Sequence, residues 1–250
     1  MTEESVNHVG LLTWDQVRQR LDGGAAAILP IGAGAKEHGL HLPMDTDQRQ
    51  AEWLAREIAN RNDALIWPTV AYGYYPAFVE YAGSCSLSAE TFKAALGELI
   101  GALLGFGPRA VLVLDTGIST LAAVAEAIRE FGGKPVHHLR VHAGPRYAAQ
   151  VAELSEQAYG SHADELETSR MLVLAPEAVQ MDRAQSSPTE PSFDFTKGPM
   201  SPADPSSPNF SPSGSFGDPT LASAVKGEAL SHAMLEDVLE MAEAALSNRG

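Results

Sequence analysis

Residues 25–47 read AAAILPIGAGAKEHGLHLPMDTD. The stretch has two halves: residues 25–31 are an unbroken apolar run, and residues 32–47 crowd Lys36, Glu37, His38, His41, Asp45 and Asp47 between glycines and a proline. A short apolar run closed by turn residues is the pattern of a strand buried on both faces, as in a parallel sheet. Imidazole and carboxylate are the side chains that hold divalent zinc, manganese or iron and that move protons, so their concentration at the end of a strand marks a candidate site. Working outward, comparable runs stand at 64–67 (ALIW), 110–114 (AVLVL) and 136–141 (VHHLRV). Helical periodicity fills the intervals: residues 48–61, with Ala51, Leu54, Ala55 and Ile58 on one face, and residues 89–106, with Ser88 placed to cap. A last helix is expected over 221–246. Strands alternating with helices predict an α/β fold, a mostly parallel central sheet covered on both faces, with sites beyond the carboxyl ends of the strands. The segment DTGIST, residues 115–120, follows the third run as the histidine-rich segment follows the first.

Composition bounds the partners. The 250 residues are 44% hydrophobic, enough for one α/β domain over 1–250, and 17 basic against 32 acidic residues leave a formal charge of −15. That charge repels phosphate backbones and anionic membrane surfaces, so neither nucleic acid nor membrane is expected as a partner. Cys85 stands alone, which excludes an intrachain disulfide, and MTEESVNHVG has neither the basic nor the apolar region of a leader peptide; a cytoplasmic location is expected. No apolar run approaches the ~20 residues of a membrane-spanning helix. Residues 186–215 turn to Pro, Ser, Gly and Asp, with too little aliphatic surface for a core of their own. We read them as a long loop inserted in the domain, a lid or a subunit contact.

Three further motifs carry a resemblance: AGSCSLSAETF (82–92) after Tyr72-Gly73, HADELETSRMLVLAPEAV (162–179), and SPSGSFGDPTLASAVKGEAL (211–230). With HGLHLPMDTD they make the chain similar to the creatininase, or creatinine amidohydrolase, family from about Leu29 to the last helix. The resemblance implies a three-layer α/β sandwich, a metal site at the carboxyl edge of the sheet, hydrolysis of a non-peptidic or cyclic C–N amide bond, and a homohexamer. It also implies roles by position. His38 and Asp47 match a histidine ligand and an aspartate that bridges two metals. The glutamate ligand two residues before the histidine is here Lys36, with Glu37 adjacent and turned inward if the segment bulges. Where the family places Asn-Gly-His-Gly-Gly-Asn, this chain has Asp115-Thr116-Gly117-Ile118-Ser119-Thr120, so a histidine ligand becomes Gly117 and a glutamate found in some members becomes Ser119. A single-metal site therefore replaces a pair in our reading. Glu167 and His162 are the nearest replacements, and His162 also matches a family histidine credited with proton transfer.

Each residue has a plainer reading. His41 holds the loop or orients a ligand through a hydrogen bond. Glu167 is a first-turn carboxylate favoured by a helix dipole. His137 and His138 alternate along the fourth run, so one is a satisfied core histidine. Lys36 would repel a metal beside it, but supplies positive charge for an oxyanion or a substrate carboxylate. Gly32-x-Gly34 lacks the third glycine of a dinucleotide fingerprint, and Asp115-Thr116-Gly117 sits in the wrong architecture for an aspartic protease.

The leading expectation is a metal-dependent hydrolase of a small amide, lactam or formamide. One divalent ion, Zn2+ before Mn2+ or Fe2+, rests on His38 and Asp47, completed by Glu37 or Glu167, with His162 giving a proton to the departing nitrogen. Two rivals stand beside it. One is a biosynthetic cyclase, dehydratase or acyl-transfer enzyme on the same scaffold, using Lys36, Asp115 and His162 as acid–base groups; the other is a non-catalytic family member.

Overall fold

The computed structural model describes residues 7–187 and 193–247. Residues 1–6 of the amino-terminal stretch and 188–192 of the Pro/Ser-rich stretch lie outside them. Four strands, β1 (Ala26–Ile31), β2 (Ala64–Ile66), β3 (Val111–Asp115) and β4 (Val136–Arg140), form one parallel sheet in the order β2-β1-β3-β4. In register, Ala27 faces Val111 and Ile31 faces Asp115, so the carboxyl ends of β1 and β3 finish side by side.

The strands alternate between two cores, as a pleat of period two requires. Ile28, Leu112 and Leu114 point into a layer built by α2 (Thr46–Arg61), α5 (Pro145–Leu154) and α7 (Ala224–Ser247), through Leu54, Ile58, Tyr147, Met234 and Val238. Ala27, Leu29, Ile31, Val111 and Val113 point the other way, onto Phe92, Leu96 and Ile100 of α3 (Ala89–Gly105) and Ala123, Val124 and Ala127 of α4 (Leu121–Arg129). The three-layer α/β sandwich with a parallel central sheet is thus the observed architecture. Ser88 caps α3 by accepting a hydrogen bond from Thr91 N, as its position predicts.

The boundaries differ in places that matter. The helix expected from residue 48 begins at Thr46, so Asp47 stands in the first turn of α2 and not in the preceding loop. The last helix begins at Ala224 because Asp218 caps a separate 3-10 turn, Pro219–Leu221, through Thr220 N. Helices without a counterpart among the sequence-derived elements include α1 (Trp14–Asp22), whose capping box of Thr13 and Gln16 is a readable signal, and α5, opened by Pro145. A further helix, α6 (Glu165–Leu174), carries the ETS motif and packs on α7, where Gly227 allows the backbone of Ser169 to approach. The described part of the Pro/Ser-rich stretch packs over the sheet end, with Met200 buried beside Ala33, Tyr75 and Phe78. Among the described residues no helix is long and apolar enough to cross a membrane.

Candidate active site

A cavity of about 470 Å³ opens beyond the carboxyl ends of β1, β3 and β4. Its walls come from the loop after β1 (Lys36), the first turn of α2 (Asp47), the loop after β3 (Thr116 to Ser119), the loop and helix after β4 (His142, Tyr147), and the start of α6 (His162, Glu167, Arg170). This is where crossover loops of a parallel sheet converge.

Both imidazoles have a fixed tautomer, because the partner of one nitrogen in each ring can only accept. His38 Nδ1 donates to the Lys36 carbonyl at 2.9 Å, leaving Nε2 as a bare lone pair 3.3 Å from Asp47 Oδ1. That Nε2 is fully buried with no hydrogen-bond partner among the described residues. His162 Nε2 donates to Glu37 Oε1 at 2.8 Å, which turns the Nδ1 lone pair toward Glu167 Oε2, 3.9 Å away. One donor atom from each of His38, His162 and Glu167 falls within 4.8 Å of the others. Buried lone pairs left bare are costly unless something electropositive meets them.

The surroundings hold this set in place. Glu37 is turned inward, as a bulge would do, but both its oxygens are engaged: Oε1 by His162, Oε2 by the Gly39 amide at 2.8 Å. It stands behind His162 and not among the converging donors. Gly214, at φ +80°, lies so close over Glu37 Oε2 that a Cβ there would collide with it. The segment bearing Gly214 is tied to His162 by a bridge, Phe216 N donating to His162 O at 2.8 Å. Ala163 adopts φ +45°, a conformation rare for a side-chain-bearing residue, while its amide donates to Glu167 Oε2 at 2.8 Å. Asp164 caps α6 through Leu166 N and Glu167 N. His41 reaches Thr168 Oγ1 at 2.7 Å and pins the loop to α6, while burial lowers its pKa to about 4 and keeps it neutral.

Lys36 Nζ lies 2.7 Å from Asp47 Oδ2 and 4.9 Å from the Phe78 ring centroid, and Phe78 in turn stacks 4.2 Å from His162. Burial alone would lower the lysine pKa, but Asp47, Glu167 and Glu37 outweigh it and hold the ammonium above its ordinary value. Burial would likewise raise Asp47, yet the Lys36 ammonium beside it holds it well below the usual carboxylate range.

Asp115, expected among the acid–base groups, is not brought to the cavity. Its side chain is wholly buried, with Oδ1 accepting from Gly117 N at 3.1 Å and Thr120 Oγ1 at 2.7 Å, and Oδ2 3.0 Å from His138 Nε2. It fixes the loop after β3. The sequence reading overlooked Gln50 and Arg170. Gln50 Nε2 donates to Glu167 Oε1 at 3.5 Å, and its Oε1 accepts from Arg170 Nε at 3.0 Å. Their signal was present in the spacing: Gln50 follows Asp47, and Arg170 follows Glu167, by three residues on one helix, which puts each pair on one face.

Known proteins of the same fold supply a family. The sequence model of the family described as creatinine amidohydrolase (Creatininase) matches residues 10–242. A mycofactocin precursor peptide peptidase of Mycobacterium ulcerans is 29% identical over 228 residues, 84% of this chain and 81% of that protein. A creatinine amidohydrolase of Pseudomonas putida is 25% identical over 253 residues, covering 93% of this chain and 94% of that one. Among solved structures, a tryptophan-to-alanine mutant creatininase superposes with a TM-score of 0.82 over 96% of this chain and 99% of that chain, at 24% identity, a likeness of fold.

Proposed function

The chain belongs to the creatininase family, and from that premise we propose that it is a metal-dependent hydrolase cleaving a carbon–nitrogen bond of a small amide. The observation that carries the proposal is the buried, unpartnered Nε2 of His38, converging with a donor atom each from His162 and Glu167, while Asp47 Oδ1 lies 3.3 Å from the same nitrogen. Two imidazoles and a carboxylate suit a divalent ion, Zn2+ before Mn2+ or Fe2+. Such an ion supplies Lewis acidity, polarising a carbonyl oxygen and making a water molecule more acidic.

The residues of the chain do the rest. Glu37 fixes the His162 ring and raises its basicity, as an outer carboxylate does for a ligand histidine. Lys36 engages one oxygen of Asp47, so this aspartate has a single oxygen left to offer, which supports one ion per subunit. The Lys36 ammonium lines the cavity and is held charged, in position to stabilise an oxyanion developing on the carbonyl. Phe78 covers His162 and Lys36 with an apolar face and limits water there.

Elemental analysis of protein purified without chelator tests the reading. One firmly held ion, lost in His38→Ala and in Glu167→Ala, together with turnover of small amides that stops on chelation, is the expected result. Undiminished amide hydrolysis by the chelated protein would overturn it. A second reading, cleavage of a short peptide, is favoured by the mycofactocin peptidase relative and by the size of the cavity, about 470 Å³. The homohexamer implied by the resemblance and the cytoplasmic setting expected from the composition belong to the same proposal.

A further inference from the structure

Arg170 is 3% exposed and lines the cavity. Its Nε donates to Gln50 Oε1 at 3.0 Å and its Nη1 to the Tyr147 hydroxyl, both neutral acceptors. The other buried or half-buried cations behave differently: Lys36 sits on Asp47 and Lys226 on Glu165. Among the described residues no carboxylate lies within ion-pair distance of Arg170, and Asp164, which lines the same cavity, feels its charge only at longer range. A guanidinium cannot shed its charge, and a buried charge without a counterion is expensive. Of its five N–H groups, the two named bonds satisfy two, and the planar fork that remains has the geometry of a carboxylate.

We infer that Arg170 and Tyr147 form an anion anchor in the cavity, so that the substrate is a small amide bearing a carboxylate. Tyr147 completes the anchor. Its hydroxyl accepts from Arg170 and keeps its own proton to donate to the same ligand, and burial raises its pKa, which keeps that proton in place. The ring is held at the first turn of α5 by Asp237, whose Oδ2 accepts from Tyr147 N at 2.8 Å. Arg170 follows Glu167 by three residues of α6, about 4.5 Å of axial rise, a spacing that suits an amide and a carboxylate in one small molecule. Gln50 bonds both side chains and so sets the distance between the two ends. The inference relies on the hydrolase reading for the reacting end and not for the anchor.

The test uses three acids with their neutral counterparts: succinamate and succinamide, N-acetylglycine and N-acetylglycinamide, 5-oxoproline and its carboxamide. Each is titrated calorimetrically into the full chain, metal-loaded and chelated. At least one acid is expected to bind about tenfold or more tightly than its neutral partner in both states, as a charge-assisted pair provides. Arg170→Met should remove the preference, Arg170→Lys should retain only part of it, and Tyr147→Phe should weaken it several-fold. If Arg170→Met does not fold, the other two variants decide. No acid preferred or bound at millimolar concentration overturns the anchor, as does a preference that vanishes on chelation or survives in Arg170→Met. An intact preference in a protein that holds no ion would sink the hydrolase reading and leave the anchor standing.

Discussion

Lys36 and Asp47 form a buried ion pair, 2.7 Å from Nζ to Oδ2, with side chains 9% and 7% exposed. A cation has taken the sequence position at which the family pattern places an acidic ligand, and it neutralises an aspartate that would otherwise have two oxygens to offer. Breaking a buried pair by removing one partner strands the other charge. Lys36→Met is therefore expected to destabilise the chelated protein by about 3–5 kcal/mol, and the metal-loaded protein by less, because an ion compensates Asp47. Denaturant midpoints in the two states check it; equal losses would show that Asp47 does not meet the ion.

His162→Ala should lose the ion along with turnover, since His162 Nδ1 faces Glu167 and its other nitrogen is committed to Glu37. Glu37→Gln keeps a partner for the ring but removes the charge behind it, and should weaken metal affinity about 10–100-fold without abolishing it. Competition with a chromogenic chelator measures both. A His162→Ala protein that keeps its ion and loses only turnover would return the histidine to the role of proton donor. His138→Ala, by contrast, should act on stability alone, through the loop fixed by Asp115.

Gly214→Ala meets two obstacles, a φ of +80° and a Cβ driven into Glu37 Oε2. The backbone conformation alone costs about 1–2 kcal/mol. The displacement of Glu37 should also loosen His162, so metal affinity is expected to fall together with Tm. A fall in Tm with unchanged affinity would mean that the loop moves and Glu37 does not.

Stability should decline as pH falls from about 6.5 to about 4. Burial lowers His142 to about 4, and His41 to about 4, while the unfolded chain protonates its histidines near 6.5. Between those values the unfolded state binds more protons, so acid favours unfolding; below about 4 both states are protonated and the contribution levels off. Each histidine accounts for at most about 3 kcal/mol over that interval. His142 Nε2 donates to Thr116 O at 3.1 Å, and His142→Gln keeps a donor there while removing the titration. Urea unfolding of the chelated protein across the interval should therefore give a shallower pH slope for the variant; an unchanged slope would rule His142 out.

The sequence by itself determined the layers. The apolar runs that became β1, β2 and β3 are read from neighbours in the chain, because burial on both faces demands apolar side chains at every position, whereas β4, at the sheet edge, keeps two histidines and an arginine. The resemblance carried by the motifs likewise implied that His38, Asp47, His162 and Glu167 meet at the carboxyl edge of the sheet. Their mutual geometry was decided only by the fold. Whether Glu37 meets an ion or stands behind His162 depends on a glycine 177 residues later, and Glu37 and His162 themselves are 125 residues apart. Asp115 reads like a site residue, and is claimed instead by Thr120 and His138. Arg170 reads like one polar residue before an apolar helical run, and only the packing of α6 against Gln50 and Tyr147 leaves its charge facing the cavity with no carboxylate among the described residues at ion-pair distance. Periodicity records which face of an element is buried; which lone pair or charge is left unmatched is a property of the assembled surroundings, since it depends on every group that arrives from elsewhere in the chain.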